Sequence, residues 1–246
     1  MAIRNIKMVV EYDGTAYHGW ERQTNALGIQ AVLEEALSKV TGEGVAATAA
    51  GRTDAGVHAL GQVVSFKTSG SIPTNHIPDA LNSILPGDIA VLSAEDVPMA
   101  FHARYSAKGK LYRYIINNSK YPSALNRFRE YHYPYSLDFD AMHDAVQHFT
   151  GKHDFRAFLA SGSSVENTVR AVTRMELSKR DDHIILEIAA DGFLYHMVRN
   201  IVGTLLQVGH GKIRSEDIPG IIQSGDRKRA GETAPPHGLY LVEVYY

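Results

Sequence analysis

The sequence holds no cysteine and a single tryptophan in 246 residues. Without cysteine the fold contains no disulfide, no thiolate metal ligand and no cysteine nucleophile. Long apolar runs are also missing. No stretch approaches the roughly 20 residues a membrane helix needs, and no apolar leader segment opens the chain. The expectation is a cytoplasmic protein with no membrane partner. No single charge sign dominates, the formal net charge being −2. A glycine-rich phosphate loop is absent, since Gly42-Glu43-Gly44 precedes a strand and lacks a following lysine. Among the 12 histidines, His143 and His148, and His148 and His153, are spaced by 5 residues. None makes the i, i+4 pair with a glutamate that zinc proteases use. Neither a metal nor a nucleotide cofactor is indicated.

What is present is unevenly placed. Residues 1–100 carry 6 Lys/Arg against 11 Asp/Glu, and the remainder carries 19 against 16. Residues 101–130 hold 7 basic side chains and one acid, Glu130. Such asymmetry points to an anionic partner.

The densest chemistry lies in Gly51-Arg52-Thr53-Asp54-Ala55-Gly56-Val57-His58-Ala59. Small residues precede it and an apolar alternating run follows, the pattern of strand, exposed loop, strand. Asp and Gly dominate ordinary turns, so a plain hairpin loop is one reading. The other is functional. In extended backbone, residues i and i+2 share a side, which would set Arg52 beside Asp54. A carboxylate next to a guanidinium stays ionised and is a candidate nucleophile.

Periodicity supplies the elements around it. Strands are expected at 3–12, 45–50, 62–67 and 89–92, with helices at 29–40 and 77–85. That is the order β-α-β-β-α-β of a ferredoxin-like half. The second half repeats the theme with insertions: a strand at 110–117, a basic and aromatic excursion at 119–135 and a helix at 139–149. A hairpin at 169–177 and 184–189, helices at 194–208 and 218–223, and a strand at 239–245 complete it. The fold class is α+β, two ferredoxin-like halves with mainly antiparallel sheets. Its expected domains are 1–104 and 105–246.

Two further stretches carry candidate chemistry. Around the boundary the chain reads Phe101-His102-Ala103-Arg104, then Lys108-Gly109-Lys110-Leu111-Tyr112-Arg113-Tyr114. Cations interleaved with rings suit phosphates and unpaired bases, while strand alternation alone would also explain the pattern. In the apolar stretch from Leu194 to Val208, Arg199 is the exception, and a cation among apolar residues needs a partner. Arg22 and Gln23 stand with Trp20 in a loop rich in donors and aromatics.

These blocks, together with Ala234-Pro235-Pro236-His237-Gly238-Leu239, resemble the tRNA pseudouridine synthase A (TruA) family over residues 3–246. The resemblance implies two halves side by side around an RNA-binding cleft. It also implies a homodimer acting on tRNA, and isomerisation of uridine to pseudouridine at positions 38–40 of the anticodon stem-loop without a cofactor. Asp54, Tyr112 and Arg199 match the family's catalytic positions. Asp54 is the implied nucleophile or electrostatic stabiliser, Tyr112 stacks on the uracil and removes the C5 proton, and Arg199 pairs with the aspartate. Arg22, Gln23, Arg52, His58, Arg104, Lys108, Lys110 and Arg113 are the expected substrate-binding residues. Family members usually carry glutamine where this chain has Glu21. Ser161 to Ser164 is the expected closing loop. Two competing readings are a non-catalytic RNA-binding module and a hydrolase using Asp54 with His58.

Overall fold

The computed structural model describes residues 2–163 and 165–246. The chain divides into two compact units, residues 2–108 with 240–246, and residues 109–239. The boundary falls at 108/109 rather than 104/105, and the final strand returns to the first unit.

The first unit opens with β1 (Arg4–Tyr12), α1 (Ile29–Thr41) and β2 (Thr48–Ala49). It continues with β3 (His58–Thr68), α2 (Ile77–Asn82) and β4 (Ile89–Val97). Strand alternation turns Ile6, Met8, Val10 and Tyr12 inward on β1. This strand pairs antiparallel with both β3 and β4, and β2 pairs antiparallel with β3, so the order is β4-β1-β3-β2. On α1, Ile29, Leu33, Ala36 and Leu37 form the buried stripe. The helix ends at Gly42, whose φ of 75° is the left-handed cap that glycine adopts without a Cβ penalty.

The strand expected at 45–50 shrinks to two residues for a local reason. The Glu34 carboxylate on α1 accepts the Ala47 N–H at 2.9 Å, and Gln30 Nε2 donates to the Ala47 carbonyl at 3.0 Å. Backbone groups that would have entered the sheet are satisfied by helix side chains instead.

The second unit contains β5 (Gly109–Asn117), β6 (Tyr131–His132), α3 (Phe139–Val146) and β7 (Gly151–Asp154). Then come β8 (Val169–Arg180), β9 (His183–Ala190), α4 (Met197–Gly209) and α5 (Ile218–Ser224). Its strands run β6-β5-β9-β8-β7, with β5 and β6 parallel and the other pairs antiparallel. β6 and β7 are additions to the expected elements. Gly151-Lys152-His153-Asp154 has no apolar alternation, so its pairing with β8 leaves no mark in sequence pattern. The expected helix at 194–208 starts at Met197, because His196 holds a φ of 60° that no helix continues through.

The last strand, β10 (Leu239–Tyr245), lies parallel to the start of β3, with Tyr240 opposite His58. Gly61 admits this approach: a Cβ there would sit 2.5 Å from the Val242 carbonyl oxygen. Of the expected closing loop, Ser161 and Gly162 form an exposed turn, and Ser164 lies outside the described residues. Among the described residues no helix is long and apolar enough to cross a membrane.

Candidate active site

The Asp54 loop is a turn gripped from both sides. The Val57 N–H donates to the Asp54 carbonyl at 3.1 Å, and Gly56 takes a φ of 76° within the turn. The loop of residues 13–20 supplies the grip. Trp20 N–H donates to the Thr53 carbonyl at 3.0 Å, and Gly56 N–H donates to the Tyr17 carbonyl at 3.3 Å. Two glycines make this approach possible. A Cβ on Gly14 would fall 2.0 Å from the Val57 carbonyl oxygen, and one on Gly19 would fall 2.6 Å from that of Thr53.

Side chains beneath the turn complete the support. Tyr12, buried at the end of β1, shares a 2.8 Å hydrogen bond with the Thr53 hydroxyl, and Gln62 Nε2 donates to the Gly51 carbonyl at 2.8 Å. Burial holds the Tyr12 phenol neutral and raises its pKa to about 12. Trp20 is also buried, its ring 6.2 Å from that of Tyr12. The backbone on either side of Asp54 is therefore fixed while its side chain remains half-buried.

The charged residues around the turn take specific partners. Arg52 meets the Glu21 carboxylate at 2.6 Å, and Arg22 meets that of Glu34 at 2.7 Å. Gln23 donates to the His18 carbonyl at 3.1 Å from an exposed position. His58 departs from the expected substrate contact. It is 2% exposed, its ring stacks on Tyr240 at 4.8 Å, and its Nδ1 accepts the Gly14 N–H at 3.0 Å. Asp13 Oδ1 lies 3.2 Å from the same nitrogen, which cannot accept one bond and donate the other at once. The buried Gly14 N–H must be satisfied, and the Asp13 oxygen already accepts from Thr15 N and Oγ1, so the acceptor role governs. The imidazole anchors the Asp13-Gly14 turn rather than facing solvent.

Residues 101–108 dock on the same unit. Ala103 N–H donates to Ser65 Oγ at 3.1 Å, and the Tyr246 hydroxyl donates to the Ala103 carbonyl at 2.7 Å. With Ala103 buried, Arg104, Tyr105 and Lys108 are left exposed, the Arg104 guanidinium 5.8 Å from the Tyr105 ring centre.

On the second unit, β5 divides its candidates between two faces. Lys110, Tyr112 and Tyr114 share one side, and Arg113 points to the other. Tyr112 is 8% exposed and meets Phe193 edge-on at 4.9 Å. Arg113 Nε and Nη2 both donate to Glu187 Oε1, at 2.9 and 2.6 Å. With Arg174 and Glu176 these two line a cleft of about 750 Å³, where the four charges pair with one another and Arg180 adds a further cation.

Arg199 lies in the first turn of α4. Its Nε donates to the Ala234 carbonyl at 2.7 Å, and Ala234 N–H returns to the Arg199 carbonyl at 3.1 Å. The segment that receives it packs on α4 through Gly203, where a Cβ would fall 1.6 Å from the Glu232 carbonyl oxygen. Arg227 locks the same segment, donating to Gly231 O at 2.7 Å and Asn200 Oδ1 at 2.9 Å. Desolvation lowers its pKa. Arg227 was not legible as a positioning residue, because it sits in the basic run Arg227-Lys228-Arg229, which reads as a solvated surface. Tyr114 also reaches this segment, its hydroxyl donating to the Pro235 carbonyl at 2.7 Å.

The fold fixes the class first: an α+β protein whose strands pair mostly antiparallel in each unit. Comparison with known proteins makes this specific. The family model described as tRNA pseudouridine synthase matches residues 8–106 and 145–246. The tRNA pseudouridine synthase A of Acetivibrio thermocellus is 55% identical over 99% of this chain and 100% of its own length. That of Thermoanaerobacter sp. is 52% identical and that of Caldicellulosiruptor bescii 51%, with the same coverage. The chain belongs to the tRNA pseudouridine synthase A family, and it is an isomerase acting on tRNA.

Proposed function

We propose that this protein converts uridine to pseudouridine in the anticodon stem-loop of tRNA, with Asp54 as the reacting carboxylate and no cofactor. The observation that carries this reading is the grip on the Asp54 turn. Hydrogen bonds to Thr53 and Gly56 fix the backbone on both sides of the aspartate, the preorganisation that a positioned nucleophile requires.

The chemistry is an isomerisation: the glycosidic bond from N1 to C1′ breaks, the base turns, C5 bonds to C1′ and gives up its proton to a base and so to water, and N1 takes up a proton. Tyr112 is assigned to the uracil, which must leave its helical stack before chemistry reaches it. Arg199 is assigned to holding Asp54 ionised. Arg52, Arg104, Lys108 and Lys110 are the cations assigned to backbone phosphates, with Arg22 and Gln23 beside them. The strand order β4-β1-β3-β2 of the first unit supports a ferredoxin-like half. The reading extends to a homodimer working in the cytoplasm.

The test is tritium release from tRNA labelled at C5 of uridine, comparing the protein with Asp54→Asn. Release by the parent alone supports both reaction and nucleophile. Salt-sensitive tRNA binding with no release by either makes the protein a binding module. Release by both removes Asp54 from the essential role.

A further inference from the structure

The excursion between β5 and β6 is built as a stiff arm with a sticky tip. At its base, Asn117 Nδ2 donates to Glu130 Oε1 at 2.6 Å, and His183 Nε2 lies 3.1 Å from Glu130 Oε2. Asn118 Nδ2 donates to the carbonyls of Tyr133 and Tyr135 at 2.6 and 2.8 Å, and His132 Nε2 meets the Ser119 carbonyl at 3.0 Å. Within the tip, Arg129 N–H closes a turn on the Asn126 carbonyl at 2.7 Å, and Arg127 Nη1 donates to Ala124 O at 2.7 Å.

The tip exposes what folded proteins usually cover. Tyr121 is 71% exposed, Leu125 88% and Phe128 48%. Each of the two rings carries a cation on one face: Lys120 Nζ lies 5.2 Å from the Tyr121 centroid, and the Arg127 guanidinium 4.6 Å from that of Phe128. Residues 119–130 contain three cations and one carboxylate, Glu130, which is 5% exposed and spent on the base of the arm. The charges on the accessible tip are therefore all basic, set among Tyr121, Leu125 and Phe128. A protein partner would favour a patch depleted in lysine, whereas rings backed by cations are what unpaired bases and their phosphates select.

We propose that residues 119–129 form a second RNA contact, in which unpaired bases stack on Tyr121 and Phe128 while Lys120 and Arg127 meet the adjoining phosphates. The inference rests on the tRNA-modifying reading above and adds a site to it.

The experiment measures binding of full-length unmodified tRNA transcript by three proteins: the parent, Tyr121→Ser/Phe128→Ser, and Lys120→Gln/Arg127→Gln. Melting temperature and sedimentation of each are read in parallel. The ring variant is expected to bind about 10-fold or more weakly, from the loss of base stacking. The charge variant is expected to flatten the slope of log affinity against log salt by about 1.4, two single-strand phosphates' worth. Both are expected to keep the parent's melting temperature and the parent's mass in sedimentation. Unchanged tRNA affinity in the ring variant overturns the proposal, while parental tritium release leaves the functional reading intact. A changed mass of the sedimenting particle in the ring variant also overturns it, making the patch a protein interface. A parent that binds no tRNA overturns both readings.

Discussion

The guanidinium of Arg52 rests against the carboxylate of Glu21 at 2.6 Å, a bond between the loop bearing Asp54 and the loop that grips it. Both side chains are accessible to solvent, so the pair adds little to stability, typically below about 1 kcal/mol. Its effect falls on ligand binding, because a cation that holds a carboxylate must release it to meet a phosphate. Glu21→Gln is expected to tighten tRNA binding several-fold and to steepen its salt dependence by about 0.7–0.9, one phosphate contact. Melting temperature should hold within the effect of a surface change. A salt titration of tRNA affinity checks this, and an unchanged slope would show that Arg52 takes no part in RNA binding.

The glycines that admit the grip make a second prediction. Gly14→Ala forces a Cβ toward the Val57 carbonyl 2.0 Å away. Backbone cannot yield as a flexible side chain can, so the turn is displaced, at a cost of ~1–3 kcal/mol. Displacement of a reacting group by about 1 Å can lower rate by about 100-fold. Gly87→Ala is the control, since a Cβ there meets nothing within 4 Å. Thermal melts and single-turnover rates of the two variants should diverge sharply.

Helix α4 offers a third. In Gly203→Ala the new methyl carbon would overlap the Glu232 carbonyl oxygen at 1.6 Å. The segment holding Ala234 and Pro235 would be pushed off the helix, and the bond from Arg199 Nε to Ala234 would be lost with it. A destabilisation of ~3 kcal/mol or more is expected by urea unfolding.

The fourth concerns alkaline pH. Burial raises the Tyr12 pKa from 10.0 to about 12 in the folded protein. The folded value lies above the unfolded one, so the stability contributed by the neutral phenol is complete below pH 10 and is lost as pH rises toward 12. Two units correspond to about 2–3 kcal/mol over that window. Burial moves the Tyr17 and Tyr246 phenols in the same direction, so the total fall has several contributors. Tyr12→Phe should lose about 1 kcal/mol near neutral pH, with its bond to Thr53. Its stability should then decline less steeply between pH 10 and 12 than the parent's, as measured by urea unfolding across that range.

Elements β1, α1, β5, β9 and β10 were legible in the sequence to within a residue or two, whereas β3 starts four residues earlier and β4 ends five residues later than expected. The stripe of Ile29, Leu33, Ala36 and Leu37 marked α1, and β10 matched its expected span of 239–245. What sequence pattern did not carry was anything settled by a distant partner. β7 exists because β8 offers it a ladder, and β2 is short because Glu34 competes for Ala47. The site divides in the same way. The Asp54 turn is local chemistry, with Asp and Gly at turn positions, and was visible. The partner of Arg52 was not, because Glu21 lies in another loop, and the i, i+2 argument considered only neighbours on one strand. His58 reads as a polar group in an exposed motif, yet the return of Tyr240 covers it. Arg113 was placed by composition, whereas strand alternation sends it away from Tyr112 and onto Glu187.

That final strand has a consequence for how the protein is made. The first unit joins residues 2–108 to residues 240–246, with all of 109–239 synthesised in between. At about 5–20 residues per second, those 131 intervening residues delay the closing strand by roughly 7–26 s on the ribosome. Through that interval β3 lacks the neighbour that covers His58, and the nascent first unit presents an unpaired strand edge. The earlier of the two units to emerge is thus completed only after the later one has been synthesised, and until then its open strand edge is available for pairing with other chains.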